Sequence, residues 1–145
     1  MKKIVLATSL LGLLTVTGIA DANAENRMRI DQRGRSHSAA ILQEGNHNFG
    51  AVNQESMANL ARAIQRGEFN EVAIGQSGNA NWAEAYQTGG RNIAGIAQFG
   101  HGNTAVTEQD GNGNTSATIQ VGGGNNAHVT QSGTGNTSVI IQYGY

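Results

Sequence analysis

Gln76-Ser77-Gly78-Asn79-Ala80-Asn81-Trp82-Ala83-Glu84-Ala85-Tyr86-Gln87 is one period of this chain, and its reading settles the fold. Two residues after the glutamine comes glycine, after five asparagine, after seven a small residue, after nine an apolar one, and after eleven the next glutamine. Outward from this stretch, Gln32, Gln43, Gln54, Gln65, Gln76, Gln87, Gln98, Gln109, Gln120, Gln131 and Gln142 keep the eleven-residue spacing without an insertion or deletion. The glycine column is Gly34, Gly45, Gly67, Gly78, Gly89, Gly100, Gly111, Gly122, Gly133 and Gly144, with Ser56 as its one exception. The asparagine column is Asn48, Asn59, Asn70, Asn81, Asn92, Asn103, Asn114, Asn125 and Asn136, opened by His37. A fixed short period of this kind signals stacked repeats.

Helix and strand compete for each unit. An eleven-residue period suits a right-handed helical coil, but a glycine in nearly every unit, and a second one at Gly102, Gly113, Gly124 and Gly135, would cost a continuous helix about 1 kcal/mol each. The strand reading fits better. Positions five, seven, nine and eleven share parity, so in an extended chain they face one side. Position nine is Ile41, Val52, Ala63, Ile74, Ala85, Ile96, Thr107, Thr118, Val129 and Ile140, mostly β-branched, and position seven is nearly always Ala, Gly or Ser. The positions between mix Phe49, Leu60, Arg62, Glu71, Trp82 and Glu84, as an outward row would.

The expected fold is therefore all-β. It is a β-solenoid of strand-turn-strand rungs, 22 residues and two units per rung, about five rungs, stacking into cross-β fibres. Each unit is expected to give a strand of six or seven residues and a four-residue turn around its glycine. The stretch Glu55 to Ile64, which lacks the turn glycine and is rich in Ala, Leu and Met, is expected to be the least regular. Even and odd glutamines should stack as separate amide ladders, and the asparagines likewise, because identical amides one strand apart can bond up and down a column. No bulky cap interrupts the repeat between Gln32 and Tyr145, so the terminal strand edges invite a further copy.

Composition narrows the function. The chain has 145 residues, no Pro, no Cys, 21 Gly and 5% aromatics, too little large apolar material for an ordinary core. Without cysteine there is no disulfide, thiolate metal site or Cys nucleophile. A net charge of -1 supplies no basic face, so nucleic acid is not an expected partner. Lys2 and Lys3, the apolar run Ile4 to Ile19 and the small residues of Ala22-Asn23-Ala24 read as a secretory signal peptide over residues 1–24, cut after Ala24. Residues 25–31 read as a flexible N-terminal segment, and 32–145 as the solenoid.

Glu71, Glu84, Glu108 and Asp110 are the carboxylates that a solenoid hydrolase or lyase could use. Only the last two are close in sequence, and the set reads better as charge that keeps an outer face soluble. His37, His47, His101 and His128 lack metal-ligand spacing, and Asp110 is the one turn aspartate of the repeat, too few for a calcium-binding solenoid. No enzyme activity, metal or cofactor is expected.

The motif Gln-x-Gly-x-x-Asn-x-Ala-x-x-x-Gln resembles the curlin repeat of curli, the functional amyloid fibres of bacterial surfaces. The units opening at Gln76, Gln87, Gln98 and Gln120 fit it fully, that at Gln54 fits save for Ser56, and those at Gln109 and Gln131 carry Ser for Ala. The resemblance implies a secreted, extracellular subunit of a cell-surface fimbrium, exported through an outer-membrane secretion channel and polymerising with itself and with another curlin subunit. It also implies roles in biofilm matrix, adhesion and binding of host extracellular-matrix proteins such as fibronectin. The clean repeats and aromatic end (Tyr143, Tyr145) favour a major fibre subunit; the charged early units, with Arg33, Arg35, Arg62, Arg66 and Glu68, suit the minor nucleator as an alternative. A monomeric binding or adhesin solenoid is a second alternative. Two features depart from the family: members commonly carry a longer segment before the first unit than Glu25 to Asp31, and often alternate Ser with Asn at position five.

Overall fold

The computed structural model describes the backbone of residues 2–8 and all of residues 25–145. The rest of the leader and its cleavage site after Ala24 lie outside the described residues. Twelve strands follow one another: β1 (Lys2–Thr8), β2 (Arg27–Arg35), β3 (Ser38–Asn46), β4 (Phe49–Met57), β5 (Leu60–Glu68), β6 (Glu71–Asn79), β7 (Trp82–Gly90), β8 (Ile93–His101), β9 (Thr104–Asn112), β10 (Thr115–Gly123), β11 (Asn126–Thr134) and β12 (Thr137–Tyr143). The odd strands form one sheet in the order β1-β3-β5-β7-β9-β11, sheet A, and the even ones another, β12-β10-β8-β6-β4-β2, sheet B. From β2 onward every pair is parallel and offset by 22 residues, so that Gln65 pairs with Gln87 and Gln76 with Gln98. The chain is the expected parallel solenoid of about five rungs, and the described residues contain no helix. β1 differs: it lies antiparallel along the outer edge of β3, with Lys3 opposite Gln43.

The inward columns do what their parity requires. Ala39, Ile41, Val52, Ala61, Ala63, Val72, Ile74, Ala83, Ala85, Ala94, Ile96 and Ala105 form one continuous buried cluster between the sheets, on which Met28 and Ile30 of β2 pack from the first rung. Small residues in column seven let the two sheets approach, and branched ones in column nine fill the space left.

Three local expectations need correction. The strands from β2 to β11 are nine residues long, not six or seven, and the corners are shorter than four. The reason is visible in the backbone: at the tenth corner as at the first, the residue four after each glutamine is left-handed, from Ser36 (φ 59°) to Gly135 (φ 71°). Together with the positive φ two residues after each glutamine, from Gly34 (φ 126°) to Gly133 (φ 105°), that reversal turns the chain while its amides stay in the ladder. Ala80 N donates to Met57 O at 3.1 Å and Trp82 N to Asn103 O at 2.8 Å. Second, Glu55 to Ile64 is as regular as its neighbours, running through β4 and β5, because Ser56 adopts the positive φ (86°) that glycine holds elsewhere in its column. Third, Arg27 to Asp31, expected as a flexible arm, are the first half of β2 and pair with β4 from Arg27 opposite Phe49.

Candidate functional site

The candidate site is the stack itself, and it begins with the glutamines. Gln43 Nε2 donates to Gln65 Oε1 (2.7 Å), and Gln65 to Gln87 (3.0 Å), Gln87 to Gln109 (2.9 Å) and Gln109 to Gln131 (2.8 Å) continue the ladder in sheet A. In sheet B the ladder runs Gln32, Gln54, Gln76, Gln98, Gln120, Gln142, each step between 2.7 and 2.9 Å. Every interior glutamine is buried to 2% exposure or less, Gln131 to 8%. The second Nε2 hydrogen has a fixed use that the sequence did not reveal: it crosses to the opposite sheet, as Gln87 Nε2 to Glu71 O at 2.9 Å. Each amide thus ties one rung to the next and one sheet to the other, which suits a primary amide with two donors and an acceptor.

The asparagines act at the corners. Asn48 Oδ1 accepts both the backbone N–H of Asn70 (3.0 Å) and its Nδ2 (3.2 Å), while Asn48 Nδ2 donates to Gly67 O at 2.9 Å. The pattern recurs up the column to Asn136, which donates its N–H and Nδ2 to Asn114 Oδ1. His37 stands in for the first asparagine of its column: Nδ1 accepts from Asn59 N (3.3 Å) and Nε2 donates to Arg33 O (3.0 Å), which fixes a neutral ring protonated on Nε2. The glycine column has a steric cause. A Cβ on Gly78 would run into the carbonyl oxygen of Gly100 in the adjoining rung, and Gly78 holds φ 117°. Gly34, Gly45, Gly67, Gly89, Gly100, Gly111 and Gly122 meet the same neighbour; Gly133 and Gly144 lie at the last rung.

Both ladders end with unspent bonding groups. At the first rung, Gln43 Oε1 is buried with no partner among the described residues. At the last, Gln131 Nε2 donates to Thr115 O and Gln142 Nε2 to Asn126 O, the cross-sheet bonds of interior glutamines, with no ladder bond beyond them. Among the glutamines, the unpaired acceptor of Gln43 thus lies at one end of the stack and the free donors of Gln131 and Gln142 at the other.

The outer faces differ from each other. On sheet A, Arg62 pairs with Glu84 (3.7 Å) and Arg66 with Glu44 (3.0 Å), and Arg62 also lies over the Tyr86 ring at 5.5 Å. Burial first, and the Glu84 carboxylate second, push the Tyr86 phenol above its ordinary value of 10.0. Glu108 and Asp110 are exposed on this same face, whereas Glu71 is exposed on sheet B, so the four carboxylates do not converge on a cleft. Sheet B carries a shallow outer groove floored by Ala51, Ala73, Gly75, Gly95, Ala97 and Ala117. No group of three or more metal-ligating side chains occurs among the described residues. His47 instead stacks on Phe69 at 4.8 Å.

Residues 24–55, 57–89, 78–111 and 100–133 match the family model of the curlin associated repeat, which covers most of the chain. No curated protein and no solved structure matches it.

Proposed function

The chain belongs to the curlin associated repeat family, and from that premise we propose that it is a major, fibre-forming subunit of curli-type fibres, adding copies of itself end to end. The observation that carries this reading is the pair of unfinished ladders. An unpaired buried amide oxygen costs on the order of 1 to 3 kcal/mol, and a donor from another copy removes that cost. Gln43 Oε1, buried without a partner while β1 covers the edge of β3, is such an acceptor once another copy takes the place of β1, and Gln131 and Gln142 are such donors at the other end. The edges of β11 and β12 add the backbone groups of two strands to the same template.

Under this reading, residues 1–24 are removed as a signal peptide after Ala24, and the rest leaves through an outer-membrane channel. The chain then assembles outside the cell, with another curlin subunit as nucleator. Fibres of this kind serve biofilm matrix, adhesion and host extracellular-matrix binding. Their chemistry is structural, with no reaction assigned to any side chain. One observation favours the nucleator role as a second reading: β2 presents Arg27, Arg29 and Arg33 outward, paired among the described residues with the nearby carboxylates of Glu25, Asp31 and Glu55.

Residues 25–145 diluted out of denaturant test the proposal. Reflections near 4.8 Å and 10 Å with growth that seeds accelerate are the expected result. A stable soluble β-rich monomer would overturn it in favour of a monomeric binding solenoid. Fibres that form only in trace amount, yet shorten the lag of a second curlin, would assign the nucleator role instead.

A further inference from the structure

Which strand of one copy meets which strand of the next is fixed by a parity that the family does not dictate. β2 to β12 are eleven strands, an odd number, so the stack begins and ends on the same sheet, sheet B. An unrotated second copy would set its β2 on β12 and leave the outer edges of β11 and of its own β3 facing each other across an empty strand position. About 9 to 10 Å, twice the strand spacing, would separate them.

A copy turned by half a revolution about the stacking axis leaves no such gap. Its β2 takes the position next to β11, and its β3 the position next to β12. The turn also reverses strand direction as it exchanges the sheets, so both new pairs are parallel, like every pair from β2 onward.

We propose, resting on the fibre reading above, that successive copies in the fibre are related by a half-turn, with β2 added to β11 and β3 to β12. The side chains of the terminal strands agree with this register. Gln32 of the added copy continues the ladder of Gln131, and Gln43 that of Gln142, so the free Nε2 hydrogen of Gln142 meets the buried, unpartnered Oε1 of Gln43. Ile41 comes to lie on the half-buried Ile140, and Ile30 on Val129. β1, while attached, pairs with the edge of β3 that β12 of the preceding copy would take, so its removal opens the joint.

The half-turn has a consequence for the fibre surface. The outer face of sheet A holds the Arg62–Glu84 and Arg66–Glu44 pairs. That of sheet B from β8 onward has no charged residue and exposes Phe99, Val139, Ile141 and Tyr143. Rotation puts these faces in alternation on each side of the fibre. No apolar stripe then runs past one copy, which limits side-by-side adhesion of fibres.

Helical reconstruction of fibres grown from residues 25–145 tests this directly. The expected symmetry is a rise of about 26 Å per copy, eleven half-rungs, with a rotation near a half-turn on top of the ordinary twist of the sheets. A variant lacking one unit, residues 109–119, has ten strands and should lose the half-turn while its rise falls to about 24 Å. Fibres of the unaltered chain without the half-turn would overturn the inference and leave the fibre reading standing. Absence of fibres would overturn both.

Discussion

At the scale of single residues, the amide ladder decides which substitutions matter. Replacing Gln87 by Ala strands three groups: Gln65 Nε2 loses its acceptor, and Gln109 Oε1 and Glu71 O lose their donor. At about 1 to 3 kcal/mol for each buried group left unpaired, the loss is several kcal/mol per copy. Glu84→Ala removes a 3.7 Å ion pair with the half-exposed Arg62, worth about 0 to 1 kcal/mol, and a long hydrogen bond from Tyr86 at 3.4 Å, while every ladder bond stays in place. Fibre growth on wild-type seeds is therefore expected to slow far more for Gln87→Ala than for Glu84→Ala, and equal rates would remove the ladder from the account. The core also contains an opposite case. Thr118 is buried beside Ile96 and Ile140 in column nine, and its hydroxyl has no hydrogen-bond partner among the described residues. Thr118→Val keeps the shape and drops the unpaired hydroxyl. It should raise the guanidinium concentration that dissolves the fibres, by about 1 kcal/mol per copy, whereas a lower midpoint would show that the hydroxyl is satisfied.

At the scale of the element, strand and corner were not equally legible in the sequence. The inward face could be read because Asn, small, apolar and Gln columns share parity over eleven residues. The register followed from the unbroken spacing of the glutamines. Corner geometry could not be read, since the residue four after each glutamine is left-handed whether it is Ser36, His47, Ala58, Phe69, Ala80 and Arg91 or, in the later units, glycine. Backbone pairing across the corner imposes that conformation, and residue type only sets its cost. The same override makes Glu55 to Ile64 two regular strands despite helix-forming composition. A non-glycine residue in the left-handed region costs about 1 kcal/mol or more, so Ala58→Gly and Ala80→Gly should stabilise the stack by up to roughly that amount. Gly78→Ala should do the reverse and severely, because its Cβ would strike the Gly100 carbonyl as well as strain φ. Thermal melting of the three variants' fibres checks both signs. A Gly78→Ala fibre as stable as wild type would mean that the rungs can separate locally at no cost.

At the scale of the whole molecule, the ladders give the stack a polarity. Every Gln Nε2 points its ladder bond toward the higher-numbered rung, and every Asn Oδ1 in the corner columns accepts from that same direction. The glutamine amides therefore donate from the β12 end and accept at the β3 end, while the asparagine amides run the opposite way, so the two ends differ and head-to-tail addition makes the fibre polar. Gln142→Ala tests the joint with least harm to the interior, because Gln142 is half-buried at the last rung and among the described residues its ladder partner is Gln120 alone. Seeds built from this variant should extend slowly with wild-type monomer at the end that exposes β12, where the incoming Gln43 Oε1 would be buried without a donor. At the other end the incoming wild-type Gln142 meets an intact Gln43, so growth should keep the wild-type rate. Two-colour fluorescence of individual fibres resolves the two ends, and equal slowing at both would mean that the joint does not use the glutamine ladder.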